Sequence, residues 1–236
     1  RSRSGCATWR IEREGCAKCH ANQAPYPLTA PNQYGKSFIV TPQTPLREIG
    51  TDPLYAERFV GRMALPGILA PAFKGTSLEG QTEIPAAILF LTILGQITLA
   101  ELESLGIPKE DYPRWLGYRE MPTLPKTDKE LGALVESLLG YRAAPLSGVW
   151  ASAPYLHNAS VPNLYELLLP PEQRSTKFSL GSRDFDPRQV GYETQAFDGG
   201  FLYDTSLRGQ GNGGHLYGTK ITDEERWALV EYLKSM

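Results

Sequence analysis

Residues 16–20 read Cys16-Ala17-Lys18-Cys19-His20, which is the pattern C-x-x-C-H. Two thiols one helical turn apart can add to the two vinyl groups of one porphyrin, and the adjacent histidine can ligate its iron. The stretch therefore predicts one covalently bound haem c, held through Cys16 and Cys19 and ligated on one side by His20. The rest of the sequence must then supply the ligand for the other side of the iron.

Two other uses of paired cysteines fit this sequence less well. A structural zinc site needs a second pair of Cys or His ligands at matching spacing, and the third cysteine is Cys6, ten residues upstream of Cys16. A thioredoxin-type redox pair is expected beside a βαβ pattern, whereas charged, helix-like sequence precedes Gly15. The sequence assigns no role to Cys6.

Composition and charge limit the class of protein. The chain has 236 residues with 19 prolines and 23 glycines, which predicts a sizeable core and many turns. Its net charge of −2 favours no nucleic-acid partner. The apolar run 84–94 is followed by polar residues, so we interpret it as a buried helix too short to span a membrane. Because the bacterial pathway for C-x-x-C-H sequences attaches haem outside the cytoplasm, we expect a periplasmic or extracellular protein without a leader at residue 1.

Helix signals recur along the chain and predict a mostly α-helical, cytochrome c-like haem domain with long ordered loops. We expect a single domain over residues 1–236, with a helical insert at about 52–140 and a distal loop and C-terminal helix at about 205–236. A short helix is also predicted near 161–169. Four residues have the character of helix N-caps: Thr8, Asp52, Thr127 and Thr222. Thr127 and Thr222 are each followed three residues later by Glu, which is the capping-box pattern.

The second axial ligand should be a His or Met on a loop that can fold over the porphyrin. The candidates are His157, His215, Met63, Met121 and Met236. We favour His215, because it ends the glycine-rich stretch 211–215 shortly before the last helix, and glycines allow close approach to a flat macrocycle. Met121 and His157 remain alternatives. For His157 the preferred interpretation is a contact to a haem propionate.

Charged propionates in a partly buried pocket need hydrogen-bond donors. Donor side chains cluster in residues 142–158, although each type is more often structural when taken alone. The predicted set is Arg142, Trp150, Tyr155, His157 and Asn158.

Residues 141–162, which read YRAAPLSGVWASAPYLHNASVP, resemble the signature of the rubber-oxygenase-like cytochromes, relatives of the bacterial di-haem cytochrome c peroxidases. Residues 49–53, 184–187 and 214–218 and the final helix are similar to that family too. In the family, the haem of the C-terminal half takes its distal histidine from the loop before the last helix, which corresponds to His215. The oxygen-binding haem of the family belongs to an N-terminal half with its own C-x-x-C-H, and this sequence contains a single such motif.

The sequence therefore predicts a monohaem c-type cytochrome, or an electron-transfer haem domain of a larger protein, with a bis-His iron and a redox protein as partner. A second hypothesis is a haem peroxidase or dioxygenase, which needs an acid–base group over an open distal face. Three acidic residues could be considered for that role: Glu101, Glu103 and Glu193. A third hypothesis is a haem-bearing accessory subunit that works beside a second haem subunit or a second copy of itself.

Overall fold

The computed structural model describes residues 15–20, 28–29, 31, 34–41, 43–116, 121 and 123–236. These residues divide into two structural units. The first comprises the described part of Arg1–Tyr26 with Thr41–Tyr55 and Gly140–Met236; the second comprises the described part of Pro27–Val40 and of Ala56–Leu139. Cys6 and the helix start at Thr8 lie outside the described residues. The single domain over 1–236 stays a prediction.

The helices of the described residues are α1 (Cys16–Cys19), α2 (Leu46–Ile49), α3 (Leu54–Gly61), α4 (Ala86–Ser104), α5 (Tyr112–Leu116), α6 (Asp128–Leu138), α7 (Leu164–Leu167) and α8 (Asp223–Leu233). The strands are β1 (Gln43–Pro45), β2 (Met63–Ala64), β3 (Ile84–Pro85), β4 (Gly140–Arg142), β5 (Lys177–Leu180), β6 (Phe185–Asp186), β7 (Gly191–Tyr192) and β8 (Phe201–Asp204). Short 3₁₀ turns occur at Gly67–Phe73, Lys109–Asp111, Val149–Ala151 and Pro171–Gln173.

The prediction of a mostly α fold is wrong. The described residues are 39% helix and 13% strand. The strands pair as four antiparallel two-stranded sheets, β1 with β4, β2 with β3, β5 with β8 and β6 with β7. Each strand is two to four residues long. A period-2 pattern needs a longer run to be visible in a sequence, which is why the strands were missed.

Local capping chemistry explains where three of the helices begin. The Thr222 side chain accepts a hydrogen bond from the Glu225 amide and Glu225 reciprocates, so this capping box is confirmed. The Thr127 side chain accepts from the Glu130 amide at the start of α6. Asp52 accepts from the Leu54 amide at 2.9 Å, just before α3. These helix starts could be predicted because each depends on residues within three positions of one another.

The core of the first unit joins α7, α8 and the loops between them. Its fully buried side chains include Val161, Leu164, Leu229 and Val230. Cys16 packs against the edge of this core. The C-terminal helix is therefore anchored in the same core that Cys16 contacts.

In the second unit, α4 departs from the prediction of a buried helix. It runs for 19 residues, and its buried residues are Ala87, Ile88 and Leu102. Phe90 is 54% exposed and Ile97 is 62% exposed. By length and composition α4 could cross a membrane, a test that core helices of soluble proteins also pass. The absence of a membrane span stays a prediction.

Candidate haem site

A cavity of about 390 Å³ opens in the first unit beside the C-x-x-C-H turn. Cys16, Cys19 and His20 contribute to its wall, and aliphatic side chains make much of the remainder. Those side chains are Ile49, Leu146, Val149, Leu164, Leu168, Leu229 and Leu233. The volume lies within the range of small-molecule and cofactor sites, which are mostly apolar with a few placed polar groups. The cavity therefore suits a large, flat, mostly apolar group.

Helix α1 places the two thiols at this cavity. The turn follows Gly15, whose φ of 81° is in the left-handed region, and it closes with a hydrogen bond from the His20 amide to the Cys16 carbonyl. The Thr44 hydroxyl lies 3.7 Å from the Cys19 sulfur as a hydrogen-bond donor. Both cysteines and His20 are thus presented to one cavity by a single helical turn.

His20 is oriented by a residue far along the chain. Its Nδ1 lies 2.7 Å from the Ala144 carbonyl oxygen. A carbonyl can only accept a hydrogen bond, so Nδ1 carries the proton and Nε2 keeps its lone pair. Metal-ligating histidines are held in the same way, with the second ring nitrogen bonded to a carbonyl or carboxylate.

His215 lines the same cavity, with its ring centre 6.3 Å from that of His20. An imidazole–metal bond is about 2 Å long, so two imidazoles on opposite sides of one ion have ring centres about 6 Å apart. Among the described residues, the Nδ1 of His215 is buried without a hydrogen-bond partner. Burial, together with nearby His20 and Arg174, lowers the pKa of His215 to about 4, so its imidazole is neutral at neutral pH. A neutral imidazole is the form that ligates metals.

The donor set fits a haem better than a metal ion held by protein alone. Within the described part of the chain, no group of three or more His, Cys, Asp or Glu side chains could hold a metal ion. Two imidazoles are what an iron needs when a porphyrin provides its other ligands. The residues present therefore fit a haem c, which Cys16, Cys19, His20 and His215 would hold.

The backbone around His215 is held in a rare conformation. Gly214 has a φ of 72° and His215 a φ of 48°, both in the left-handed region. The His215 amide donates to the Ile49 carbonyl at 2.8 Å. A Cβ on Gly214 would lie 2.2 Å from the carbonyl carbon of Gly50, so glycine is required there by both space and φ. Two distant glycines thus allow the ligand loop to approach residues 49–51.

Replacing Gly214 with alanine is expected to lower the free energy of unfolding by about 3 kcal/mol, since it adds a left-handed residue and a backbone clash. Gly213→Ala is the matched control, because a Cβ there meets nothing within 4 Å. The control should change the free energy by less than about 0.5 kcal/mol. Denaturant titration of both variants measures this difference. Equal losses in the two variants would contradict the close packing of Gly214 on Gly50.

The predicted propionate donors are only partly brought together. Arg142 and His157 line the cavity and are exposed, which suits contacts to charged groups at its edge. His157 stacks on Tyr141 with ring centres 3.9 Å apart. Burial lowers the pKa of His157, and the Asp52 carboxylate opposes that shift. Arg142 and His157 as propionate contacts stay predictions.

The other three predicted donors also stay predictions as propionate contacts; Tyr155 lines the cavity, and two of the three have structural hydrogen bonds. The buried Tyr155 hydroxyl donates to the Val149 carbonyl at 2.9 Å. Asn158 donates to the Gly209 and Gly211 carbonyls at 3.2 and 3.0 Å. Trp150 is 45% exposed and is not among the cavity-lining residues. Tyr155 and Asn158 thus support the walls and loops of the site.

The three methionine candidates lie in different surroundings. Met121 packs against the cluster of Leu102, Ile107 and Tyr112 in the second unit. Met63 is in β2 and is 53% exposed. Met236 packs against the core of the first unit. The assignment of His215 as the ligand stays a prediction, and the structure brings only His215 and His157 of the candidates to the cavity wall.

A segment that contributes to the cavity wall is similar to a known protein family. Residues 140–179 match the family model described as RoxA-like, cytochrome c-like. This match confirms the resemblance predicted from residues 141–162: over that segment the chain is similar to a cytochrome c-like domain. The matched segment contributes five residues to the cavity wall: Ala144, Leu146, Tyr155, His157 and Leu164.

Two curated proteins of Sinorhizobium fredii are similar to the chain. It is 29% identical over 222 residues to the uncharacterized protein y4iJ, a match that covers 88% of this chain and 33% of y4iJ. It is 48% identical over 67 residues to the uncharacterized protein y4iM, covering 28% of this chain and 15% of y4iM. The chain therefore spans a third or less of the length of these relatives.

Proposed function

We propose that this chain is an electron-transfer haem c domain, with one haem attached to Cys16 and Cys19 and bis-His ligation by His20 and His215. The observation that carries the proposal is the pair of imidazoles at one cavity, with ring centres 6.3 Å apart. The hydrogen bond from His20 to Ala144 and the unpaired Nδ1 of His215 support it.

Haem c supplies, when bound, an iron that can gain or lose one electron. The protein residues then decide what that iron can do. Held by both His20 and His215, the iron would have no free position for oxygen or peroxide. Bis-His ligation also favours a lower reduction potential than His/Met ligation, because a thioether stabilises the reduced iron. The hydrogen bonds that hold both histidines keep the site rigid while one electron enters from a redox partner protein and leaves to another.

The rival function of a haem peroxidase or dioxygenase needs an acid–base group near an open face of the cavity. Glu101 and Glu103 lie at the end of α4 in the second unit, and Glu193 follows β7. None of the three is a cavity-lining residue. Electron transfer is therefore the better supported function for this chain.

We place the domain in the periplasm or outside a bacterial cell, where c-type haem is attached. Because y4iJ is about three times as long as the matched region, the redox partner is proposed to be a separate redox protein or a second haem-bearing subunit or domain.

The spin state of the haem-loaded protein tests the proposal. We expect a low-spin spectrum in both oxidation states, no Met-to-iron charge-transfer band, and no carbon monoxide binding by the untreated ferrous protein. Absorption and electron paramagnetic resonance spectra provide these readouts. A high-spin ferric spectrum or rapid carbon monoxide binding would contradict an electron carrier and favour an enzyme with an open iron.

A further inference from the structure

Arg174 is a buried cation next to the ligand loop. It follows the 3₁₀ turn Pro171–Gln173 and is 3% exposed. Its Nε donates to the Leu169 carbonyl at 3.0 Å, and its Nη2 donates to the Leu167 carbonyl at 3.4 Å. Leu167 is the last residue of α7, where main-chain oxygens lack helical partners, and Leu169 lies two residues beyond it. One side of the guanidinium is thus anchored on the core of the first unit.

The same guanidinium also binds the loop that carries His215. Its Nη1 donates to the Asn212 carbonyl at 2.5 Å and to the Gly214 carbonyl at 3.0 Å. Its Nη2 lies 3.3 Å from the His215 carbonyl, again as a donor. A planar fork with several fixed donors can hold three carbonyls at once, which a single ammonium group cannot do with the same geometry.

The partners of Arg174 are unusual for a buried charge. Within the described residues, the hydrogen bonds of its guanidinium all go to main-chain carbonyls. Glu166, whose charge stabilises the cation from a distance, is hydrogen-bonded instead to the amide and hydroxyl of Ser175. Burying a cation among neutral acceptors costs free energy of folding. We therefore expect the hydrogen bonds of Arg174 to hold the backbone in a specific conformation.

That conformation is the left-handed backbone at Gly214 and His215. A non-glycine residue with a φ of 48° persists only where surrounding contacts over-determine it. The hydrogen bond from His215 to Ile49 and the contact of Gly214 with Gly50 hold the loop to residues 49–51. Arg174 adds three hydrogen bonds from a different part of the chain.

We propose that Arg174 is a positioning residue for haem ligation, because its guanidinium fixes the backbone of residues 212–215 and so keeps His215 at the cavity with His20. This inference rests on the proposed bis-His ligation. It assigns Arg174 no contact with the haem or with a substrate.

Arg226 offers a matched control in the same core. It is 7% exposed, and its Nε donates to the Leu168 carbonyl at 3.1 Å. It also donates to the Ile221 carbonyl at 3.3 Å and pairs with the Asp223 carboxylate at 3.2 Å, and its guanidinium lies over the Tyr165 ring. Arg226 therefore binds the same helix end as Arg174 but connects it to residues 221–223 instead of the ligand loop. Its loss should affect stability without moving His215.

The test compares haem-loaded Arg174→Gln, Arg174→Lys and Arg226→Gln by ferric absorption spectra and melting temperature. We expect more than half of the haem in Arg174→Gln to become high-spin, and added imidazole to restore the low-spin spectrum. Arg174→Lys should show a smaller high-spin fraction, and it provides the readout if Arg174→Gln does not fold. Arg226→Gln should melt at a lower temperature while staying low-spin.

Two results would overturn the inference. If both Arg174 variants stay low-spin, or if Arg226→Gln gains the same high-spin fraction, the arginine acts only on general stability. His215→Ala separates this failure from a failure of the proposed function. If His215→Ala loses the low-spin spectrum while the Arg174 variants keep it, only the positioning role is overturned. If His215→Ala keeps the low-spin spectrum, both the ligation and the positioning role are overturned.

Discussion

His215→Ala is expected to convert the ferric haem from low-spin to high-spin and to let the ferrous protein bind carbon monoxide. The substitution removes the imidazole whose ring centre lies 6.3 Å from that of His20. His157 is the other candidate ligand that lines the cavity, and its ring is stacked on Tyr141. With one axial position open, the iron should also become reactive towards peroxide. Absorption spectra before and after addition of carbon monoxide measure the effect.

Two variants serve as controls for the ligand assignment. Met121→Leu keeps a side chain of similar volume in the cluster of Leu102, Ile107 and Tyr112, and it should stay low-spin. His157→Ala should also stay low-spin, although it removes the stacking on Tyr141. A high-spin spectrum produced by Met121→Leu alone would move the ligand assignment to that residue.

Replacing Cys16 and Cys19 together with serine is expected to abolish covalent attachment of the haem. Both side chains line the cavity from a single turn of helix, so each can reach the edge of a group bound there. Intact-protein mass spectrometry under denaturing conditions should find one haem on the unaltered protein and none on the double variant. Each single variant should keep one thioether and show partial attachment. This is the largest expected effect, because the cofactor itself is lost.

Cys6→Ser is the control for this experiment. Cys6 lies outside the described residues, and the sequence predicts no part for it in attachment. The variant should keep one haem through denaturation. Haem that can be extracted from the unaltered protein, or a count other than one, would contradict a single C-x-x-C-H attachment site.

Several features of the site could be predicted because their chemistry is local. The haem motif places its reactive groups within residues 16–20, so its meaning does not depend on the rest of the fold. The capping box of Thr222 and Glu225 depends on three-residue spacing, and it was found for the same reason. The family resemblance of residues 141–162 is also carried by a continuous stretch, which the family model matches at 140–179.

Other features came from contacts between distant residues. The sheet of β1 and β4 pairs residues about a hundred positions apart, and its strands are three residues long, so no alternation in the sequence revealed it. The exposed apolar side of α4 was missed as well, because hydropathy shows that a helix is apolar but not which neighbours cover it. The fold class was wrong for the first of these reasons, because the short strands were not recognised.

The sequence alone predicted the cofactor class and the half of the site that holds Cys16, Cys19 and His20, since two thiols and an imidazole at fixed spacing have few other uses. Only the tertiary structure decided which distant groups complete it. The Ala144 carbonyl that orients His20 lies 124 positions along the chain, and Arg174 binds a loop about forty residues away. Main-chain carbonyls are present at every residue, so no sequence pattern distinguishes those that bind. Their selection follows from packing that brings α1, α7 and the loop of His215 around one cavity.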